Sequence, residues 1–585
     1  MENLKRFAEL QQVPLEGQSL GKGQGPKAIE KIKKAIQGGT WVVLQNCHLA
    51  ASFMPDLEKL VEDFSESRIS PSFRLWLTSK STHLFPVSIL QRGIKITNEP
   101  PKGLKANLKK SWQNDYVNDA SFFNGCKKPR EFKKLLFGLC FFHAVVQERR
   151  KFGPLGWNIP YEFNESDLRI SEQQLQMFLN DTPYIPFKAL SYLTGECNYG
   201  GRVTDDHDRR TLMAILSDFY NEDILEDGHK FSSASPLYYA PSDGDHNSYL
   251  TYIDQLPMNQ DPDVFGLHEN ANITKDLAEG VSLFEDFSLT QESGGTGGSG
   301  GRTMEQIVSD QARDILAKLP ADFNIEEAQK RYPISLMESM NTVLVQELVR
   351  FNNLLQVVRT SLVNVQKGLK GEVVMSESLE KMAKSIFDGK IPKMWADKSY
   401  PSLKPLGGYV SDLLRRIEFL QKWLDHGPPT VFWISGFYFT QSFLTGTKQN
   451  FARRKKIEID KVEFEFEVMR EIPTAPPPIG VYVDGLYLEG ARWDGQIGQL
   501  ADQLPKRLYD KMPVIWFKPV KMEPNKQHEN VDSFYLCPVY KTSERKGTLS
   551  TTGHSTNYII SIKLPTDQEE KYWIKRGTAL FCQLD

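Results

Sequence analysis

Near Lys455 the interval between apolar residues changes, and that change divides what the sequence can fold into. Upstream, Met337, Met340, Leu344, Leu348, Phe351, Leu355, Val358 and Leu362 recur every three or four residues between 335 and 369. Leu413, Leu414, Ile417, Leu420 and Trp423 do the same between 409 and 424. Such spacing puts the apolar side chains on one side of a helix. Downstream, Val462, Phe464, Phe466 and Val468 alternate with Glu463, Glu465 and Glu467. A period of two sends one set to a core and the other to water, as a strand with one wet face does. Further strand candidates lie at 480–488, 513–517, 534–540, 557–564 and 578–584, separated by turn residues. Residues 276–585 are therefore expected to hold helices over about 303–452, then a small antiparallel barrel or sandwich over about 456–585.

Two zones precede that half. In residues 1–125, the apolar runs 41–44 and 73–77 have the length of buried strands, and helical spacing precedes the first (Ile29, Ile32, Ile36) and separates the two (Phe53, Leu57, Leu60, Val61, Phe64). Alternation of this kind predicts parallel strands with helices packed on them. Two or three strands are too few for a complete doubly wound sheet, so this zone reads as part of a domain. Residues 126–275 read as a compact helical lid, led by Phe132, Leu135, Leu136, Leu139, Phe142, His143 and Val146 on one broad face. The tract SGGTGGSGG at 293–301 reads as a flexible loop or linker. The fold class expected is multidomain: a partial P-loop-like α/β domain, a helical lid, then a helical half joined to an antiparallel β-barrel.

Composition narrows the functions. A formal net charge of −3 gives no field to draw the protein onto nucleic acid or an anionic membrane. No stretch approaches the length of an apolar membrane span, and the start lacks the apolar core of a secretory signal. Six scattered cysteines without a C-x-x-C pair argue against a disulfide framework and a zinc site, and fit a reducing cytosolic compartment. The basic run Arg453 to Lys456 reads as a solvated face.

Nucleotide chemistry needs a loop of backbone amides around phosphate, a Lys, and a Ser or Thr for magnesium. Gly21-Lys22-Gly23-Gln24-Gly25 lacks that spacing and reads as a turn before a helix. The run 41–44 has the form of a Walker-B strand, but its tip is Gln45-Asn46 where an ATPase places Asp-Glu. Magnesium binding and water positioning need carboxylates there, so hydrolysis at this tip is expected to be absent. Thr78, ending the next strand, has the place of a polar sensor, although without phosphate ligands it has nothing to sense and strand-end capping is the better reading. Arg92, between an apolar helix and an expected strand at 94–96, is a weak arginine-finger candidate. His48 and His143 sit in apolar text and read as core histidines. Thr204-Asp205-Asp206-His207-Asp208 reads as the acidic first turn of a helix rather than a metal site. No catalytic, nucleotide-binding or metal residue is expected.

Longer words carry a resemblance. WVVLQNCHL at 41–49, FRLWLT at 73–78 and NEPPKG at 98–103 closely resemble the sixth AAA+ module of dynein heavy chains. FGLCFFHA at 137–144, QERRKFGPLGW at 147–157 and YGGRVTD at 199–205 resemble that module's lid. SYPSLKPL at 399–406, VFWISGF at 431–437 and KTSERKGTLS at 541–550 resemble the C-terminal domain. GPPTVFW at 427–433 and SFLTG at 442–446 are closer to axonemal than to cytoplasmic dyneins, with an inner-arm type preferred. The resemblance implies a parent microtubule motor, minus-end directed and ATP-driven, that bends cilia or flagella. ATP and magnesium would be bound by other modules, with no cofactor in this segment, which would close and brace the ring. It implies contacts with the preceding and first AAA+ modules. Intermediate and light chains and doublet microtubules would be met through other parts of the parent, with neither nucleic acid nor membrane as partner. The location implied is cytoplasmic, cytoskeletal and axonemal. The alternative is a stand-alone scaffold or adaptor derived from a dynein tail.

Overall fold

The computed structural model describes residues 2–21, 23–65, 69–80, 82, 85–96, 101–114, 116–232, 235–292, 303–522, 534–547 and 556–584. The Gly-rich stretch 293–301, Lys22, and the ends of two of the motifs above (98–100 and 548–550) lie outside the described residues. Contacts divide the protein into two units, 1–100 and 101–585.

In the first unit, β1 (Leu15–Ser19), β2 (Trp41–Gln45) and β3 (Arg74–Leu77) form a parallel sheet in that order. The central strand is apolar on both faces because both are covered. Val42 and Leu44 pack with Ala28, Ile32 and Ala35 of helix Gly25–Gly38 and with Met54 and Leu57 of helix Met54–Glu62. On the opposite face Trp41 lies between Phe7 and Trp76, in tilted contacts with ring centroids 5.4 and 5.5 Å away. The strand expected at 94–96 is not formed. Ile94 and Ile96 are 95% and 72% exposed and pair with no strand among the described residues. Both outer edges of the sheet, β1 and β3, have one strand neighbour each.

The second unit begins earlier than the apolar pattern suggests. Helix Leu104–Trp112 shares the core of the helices that follow, with Trp112 against Phe123, Phe137 and Tyr249. At its centre runs helix Pro129–Glu148, buried on every side from Leu135 to Val146. Gly138 permits this, since a Cβ there would meet the Phe219 carbonyl oxygen at 2.4 Å. Helices Glu165–Asp181 and Asp206–Phe219 surround it, capped by Asn164 and Asp205.

Helices Met304–Lys318, Ser339–Leu369, Glu377–Phe387, Leu406–His426 and Thr440–Lys455 then build one further core with the strands β4 (Val431–Trp433), β5 (Val462–Val468), β6 (Val481–Asp484), β7 (Tyr487–Glu489), β8 (Arg492–Asp494), β9 (Gln499–Ala501), β10 (Tyr509–Lys511), β11 (Ile515–Lys521), β12 (Phe534–Tyr540), β13 (Tyr558–Pro565) and β14 (Ala579–Phe581). The expected closed antiparallel barrel is not what these strands make. They form open sheets, β10-β7-β14-β12-β13 and β4-β6-β11-β5, beside the hairpin β8-β9. Two pairings are parallel, β4 with β6 and β12 with β14. The cause is connection: β4 lies between two helices, and helix Glu570–Lys575 intervenes between β13 and β14, so neither strand arrives by a hairpin.

Candidate functional site

In open parallel sheets, ligands sit beyond the carboxyl ends of the strands. That end of β2 and β3 gathers three of the four residues singled out from the sequence. Gln45 ends β2, and its side-chain nitrogen lies over β1, 3.6 Å from where a Cβ on Gly17 would stand. Asn46 turns the backbone in the left-handed region (φ 59°), a conformation Asn tolerates better than most residues. Its amide donates to Thr78 Oγ1 at 3.3 Å, and the next amide, of Cys47, donates to the Thr78 carbonyl at 3.0 Å. Thr78 therefore stitches the two strand ends together. His48 extends the stitch, its Nδ1 accepting from the Lys80 amide at 3.1 Å. Beneath, Cys47 is buried, and burial pushes its thiol up to about 11.

Gly21 to Gly25 follows a strand, β1, which the sequence does not announce because it is polar (LEGQS) and shows no apolar period. The order is strand, glycine turn, helix. Gly23 has φ 77°, and helix Gly25–Gly38 opens with Pro26 in its first turn and no side-chain cap. The sequence still lacks the Lys-Ser/Thr that follows a phosphate loop. Among the described residues Arg92 makes no hydrogen bond or ion pair at this tip. It ends helix Val87–Arg92 and points to the Val61 and Glu62 carbonyls, 3.5 and 3.4 Å away, at the end of helix Met54–Glu62. A cation there complements the helix dipole.

The remaining candidates resolve into structural roles. Asp205 caps helix Asp206–Phe219 by accepting from the His207 and Asp208 amides, each at 3.0 Å. Asp208 accepts from the Asn158 and Ile159 amides at 2.9 and 3.0 Å. Burial, reinforced by Asp205, raises its carboxyl to about 7. His143 is buried against the Tyr199 hydroxyl at 2.8 Å, and burial lowers it to about 3, so it stays neutral. Arg453 and Arg454 belong to the last turn of helix Thr440–Lys455, where they reach Ser339 and Glu338. Among the described residues no group of three or more His, Cys, Asp or Glu side chains could hold a metal ion, and no helix is long and apolar enough to cross a membrane.

What the sequence reading missed is the seam between the lid and the last half of the protein. Arg149 is fully buried, and its guanidinium donates to the carbonyls of Leu155, Gly156 and Phe265 within the lid and, at 3.0 Å, to that of Lys575 across the seam. Asn158 donates to the Tyr540 hydroxyl at 2.9 Å. Arg210 donates to the Leu536 carbonyl at 3.1 Å and the Tyr535 hydroxyl at 3.0 Å. Asn270 donates to the Leu504 and Arg507 carbonyls and accepts from the Lys506 amide, all within 3.0 Å. Lys575 pairs with Asp218 at 2.7 Å. The only sequence signal was polar residues inside apolar words, such as Arg149 in QERRKFGPLGW.

Comparison with known proteins agrees with this geometry. Residues 1–97 match the family model of the D6 P-loop domain of dynein heavy chains, residues 132–271 that of their AAA lid domain, and residues 277–582 that of their C-terminal domain. The protein is 59% identical over 572 residues to human dynein axonemal heavy chain 3, an alignment covering 97% of the present sequence and 14% of that protein. It is 57% identical over 570 residues to mouse dynein axonemal heavy chain 12, covering 97% and 18% respectively. It is 51% identical over 588 residues to human dynein axonemal heavy chain 1, covering 100% and 14%. The sequence thus spans less than a fifth of the length of these relatives. The match to the C-terminal domain alone takes in more than half of its residues, and the protein belongs to the dynein heavy-chain family, as the D6, lid and C-terminal region of its axonemal branch.

Proposed function

We propose that this protein is a non-catalytic ring segment of an axonemal dynein heavy chain, whose parent is an ATP-driven, minus-end-directed microtubule motor that powers ciliary or flagellar beating. The observation that carries the reading is the tip of β2. A magnesium ion and a hydrolytic water need negative side chains beside the phosphates. Gln45 and Asn46 supply neutral amides, and the Asn46 backbone is spent on Thr78. On this reading the tip does not hydrolyse ATP, and the segment's contribution is mechanical. The D6 sheet closes the ring against the preceding and first modules, and the lid, pinned to the C-terminal domain through Arg149, Arg210 and Asn270, braces it. ATP and magnesium belong to other modules, and this segment holds no cofactor of its own. Accessory chains and doublet microtubules are met through other parts of the parent, and the place of action is the axoneme.

The test is ATP turnover by the purified 585-residue protein with magnesium, read by phosphate release, beside calorimetric titration of ATP. The expected result is release at the rate of the buffer blank. Magnesium-dependent turnover that disappears in Gln45→Ala or Thr78→Ala would place chemistry at the tip and overturn the proposal.

A further inference from the structure

Two of the motifs that mark the C-terminal domain, SYPSLKPL and KTSERKGTLS, have no part in the ring reading, yet both contribute walls to one cavity of about 330 Å³. One wall carries Ser399, Tyr400 and Ser402; the other carries Lys541, Thr542 and Lys546. Both walls are fastened from behind. Asn557 is buried and holds the 541–546 turn, its side-chain oxygen accepting from the Lys541 and Thr542 amides at 3.1 and 3.2 Å. Its nitrogen donates to Thr542 Oγ1 at 2.7 Å and to the Lys546 carbonyl at 3.3 Å. Arg545, in the left-handed region, anchors the same turn through a buried ion pair with Glu489. On the other wall, Gln583 donates to the Pro401 carbonyl at 2.6 Å, and Ser399 shares a hydrogen bond with the Tyr409 hydroxyl at 2.8 Å.

The charges on these walls are unequal. Lys546 is paired with Glu544 at 2.6 Å. The Lys541 side chain is half-buried and has no carboxylate within ion-pair distance among the described residues. Burial pulls its ammonium below the ordinary lysine range. A desolvated cation without a counter-ion is unfavourable, and an anion delivered to it removes that penalty. Hydroxyls of Ser402 and Thr542 line the same cavity. Ser402 Oγ accepts from the Lys404 amide at 3.3 Å and Thr542 Oγ1 accepts from Asn557, so each keeps its own hydrogen to donate. The cavity is at the small end of ligand-binding sites, which favours a compact guest.

We propose that this cavity binds a small oxyanion, free or as the phosphate of a small metabolite, with Lys541 as its counter-ion and the Ser402 and Thr542 hydroxyls as donors. The proposal is independent of the ring reading, and ATP turnover or its absence leaves it untouched. The test titrates inorganic phosphate, pyrophosphate and glycerol 3-phosphate into the purified protein, followed by calorimetry and by the shift in melting temperature. Saturable binding of at least one probe is expected. Lys541→Gln should weaken it at least about tenfold, Lys541→Arg should keep it within about threefold, and Lys546→Gln should leave it within about twofold. Tighter binding of glycerol 3-phosphate than of phosphate would identify the metabolite form, and the reverse order the free ion. Without ligand, Lys541→Gln should melt no lower than the parent protein, because it removes an uncompensated charge. Absence of binding by all three probes, undiminished binding in Lys541→Gln, or a lower melting temperature of that variant without ligand overturns the proposal.

Discussion

Glu172 shows how far one residue can be pressed by its surroundings. It lies on helix Glu165–Asp181 with no solvent exposure, one carboxyl oxygen 3.6 Å from Cys140 Sγ and the other without a hydrogen-bond partner among the described residues. Burial raises its carboxyl to about 7, and the Cys140 thiol is pushed up for the same reason, with Glu172 adding to it. Asp208 is raised to a similar value but keeps two backbone amides as partners, so it has a structural use for its oxygens. Glu172 has little. A carboxyl that holds its proton more tightly when folded supports the fold fully below its unfolded pKa, and that support is lost as pH rises through 7. Glu172→Gln keeps the shape and removes the ionisation. At pH 8 it should stabilise the lid by ~3 kcal/mol, and the advantage should vanish below about pH 4.5. Urea or thermal midpoints across that pH range check it; a pH-independent difference would show that burial of the charge is not the cause.

Among elements, the turn after helix Glu570–Lys575 has the least freedom. Gly577 sits at φ 65°, and a Cβ there would meet the Leu155 carbonyl oxygen at 2.4 Å, so this glycine lets the last strand approach the lid. Gly577→Ala should cost about 2 kcal/mol or more through left-handed strain and the forced retreat of Leu155. Gly495→Ala, with open space around it, should fall within about 0.5 kcal/mol of the parent in the same melting experiment. Elements whose burial followed one simple period were legible beforehand: β5 with its alternating glutamates, the helix Ser339–Leu369, and the strand 41–44 with its amide tip. What escaped depended on neighbours far away in sequence. The polar β1 is a strand because Trp41 to Gln45 pair with it residue by residue. Ile94 and Ile96 have strand-like chemistry but no strand beside them among the described residues. The directions of β4 and β14 are set by intervening helices, and a period of two carries no direction, which is why open mixed sheets read as a barrel. At the site, the chemistry of Gln45 and Asn46 was visible in the sequence. The Thr78 bond that uses the Asn46 amide was not, because it joins positions 32 residues apart.

At the scale of the molecule, the lid and the C-terminal domain behave as one unit because their seam is built from side chains that satisfy backbone groups of the other side. A surface ion pair is worth little and is screened by salt. A buried guanidinium holding carbonyls is different, since parting the seam strands both donor and acceptors without water until each is resolvated. Arg149 makes such a bond to the Lys575 carbonyl, the buried Asn270 side chain holds the Leu504 and Arg507 carbonyls, Arg210 reaches the Leu536 carbonyl nearer the surface, and Lys575–Asp218 adds a conventional pair. The covalent link between lid and C-terminal domain is then dispensable for their association. Insertion of a site-specific protease sequence within 293–301, followed by complete cleavage, should give two polypeptides that still co-elute as one species, at high salt as well as low. Adding Arg149→Ala to the cleaved protein should release them or lower their joint melting temperature by several degrees, since the Lys575 carbonyl loses its donor. Separation of the unmutated halves in low salt would mean that the bracing of the ring cannot pass through this seam.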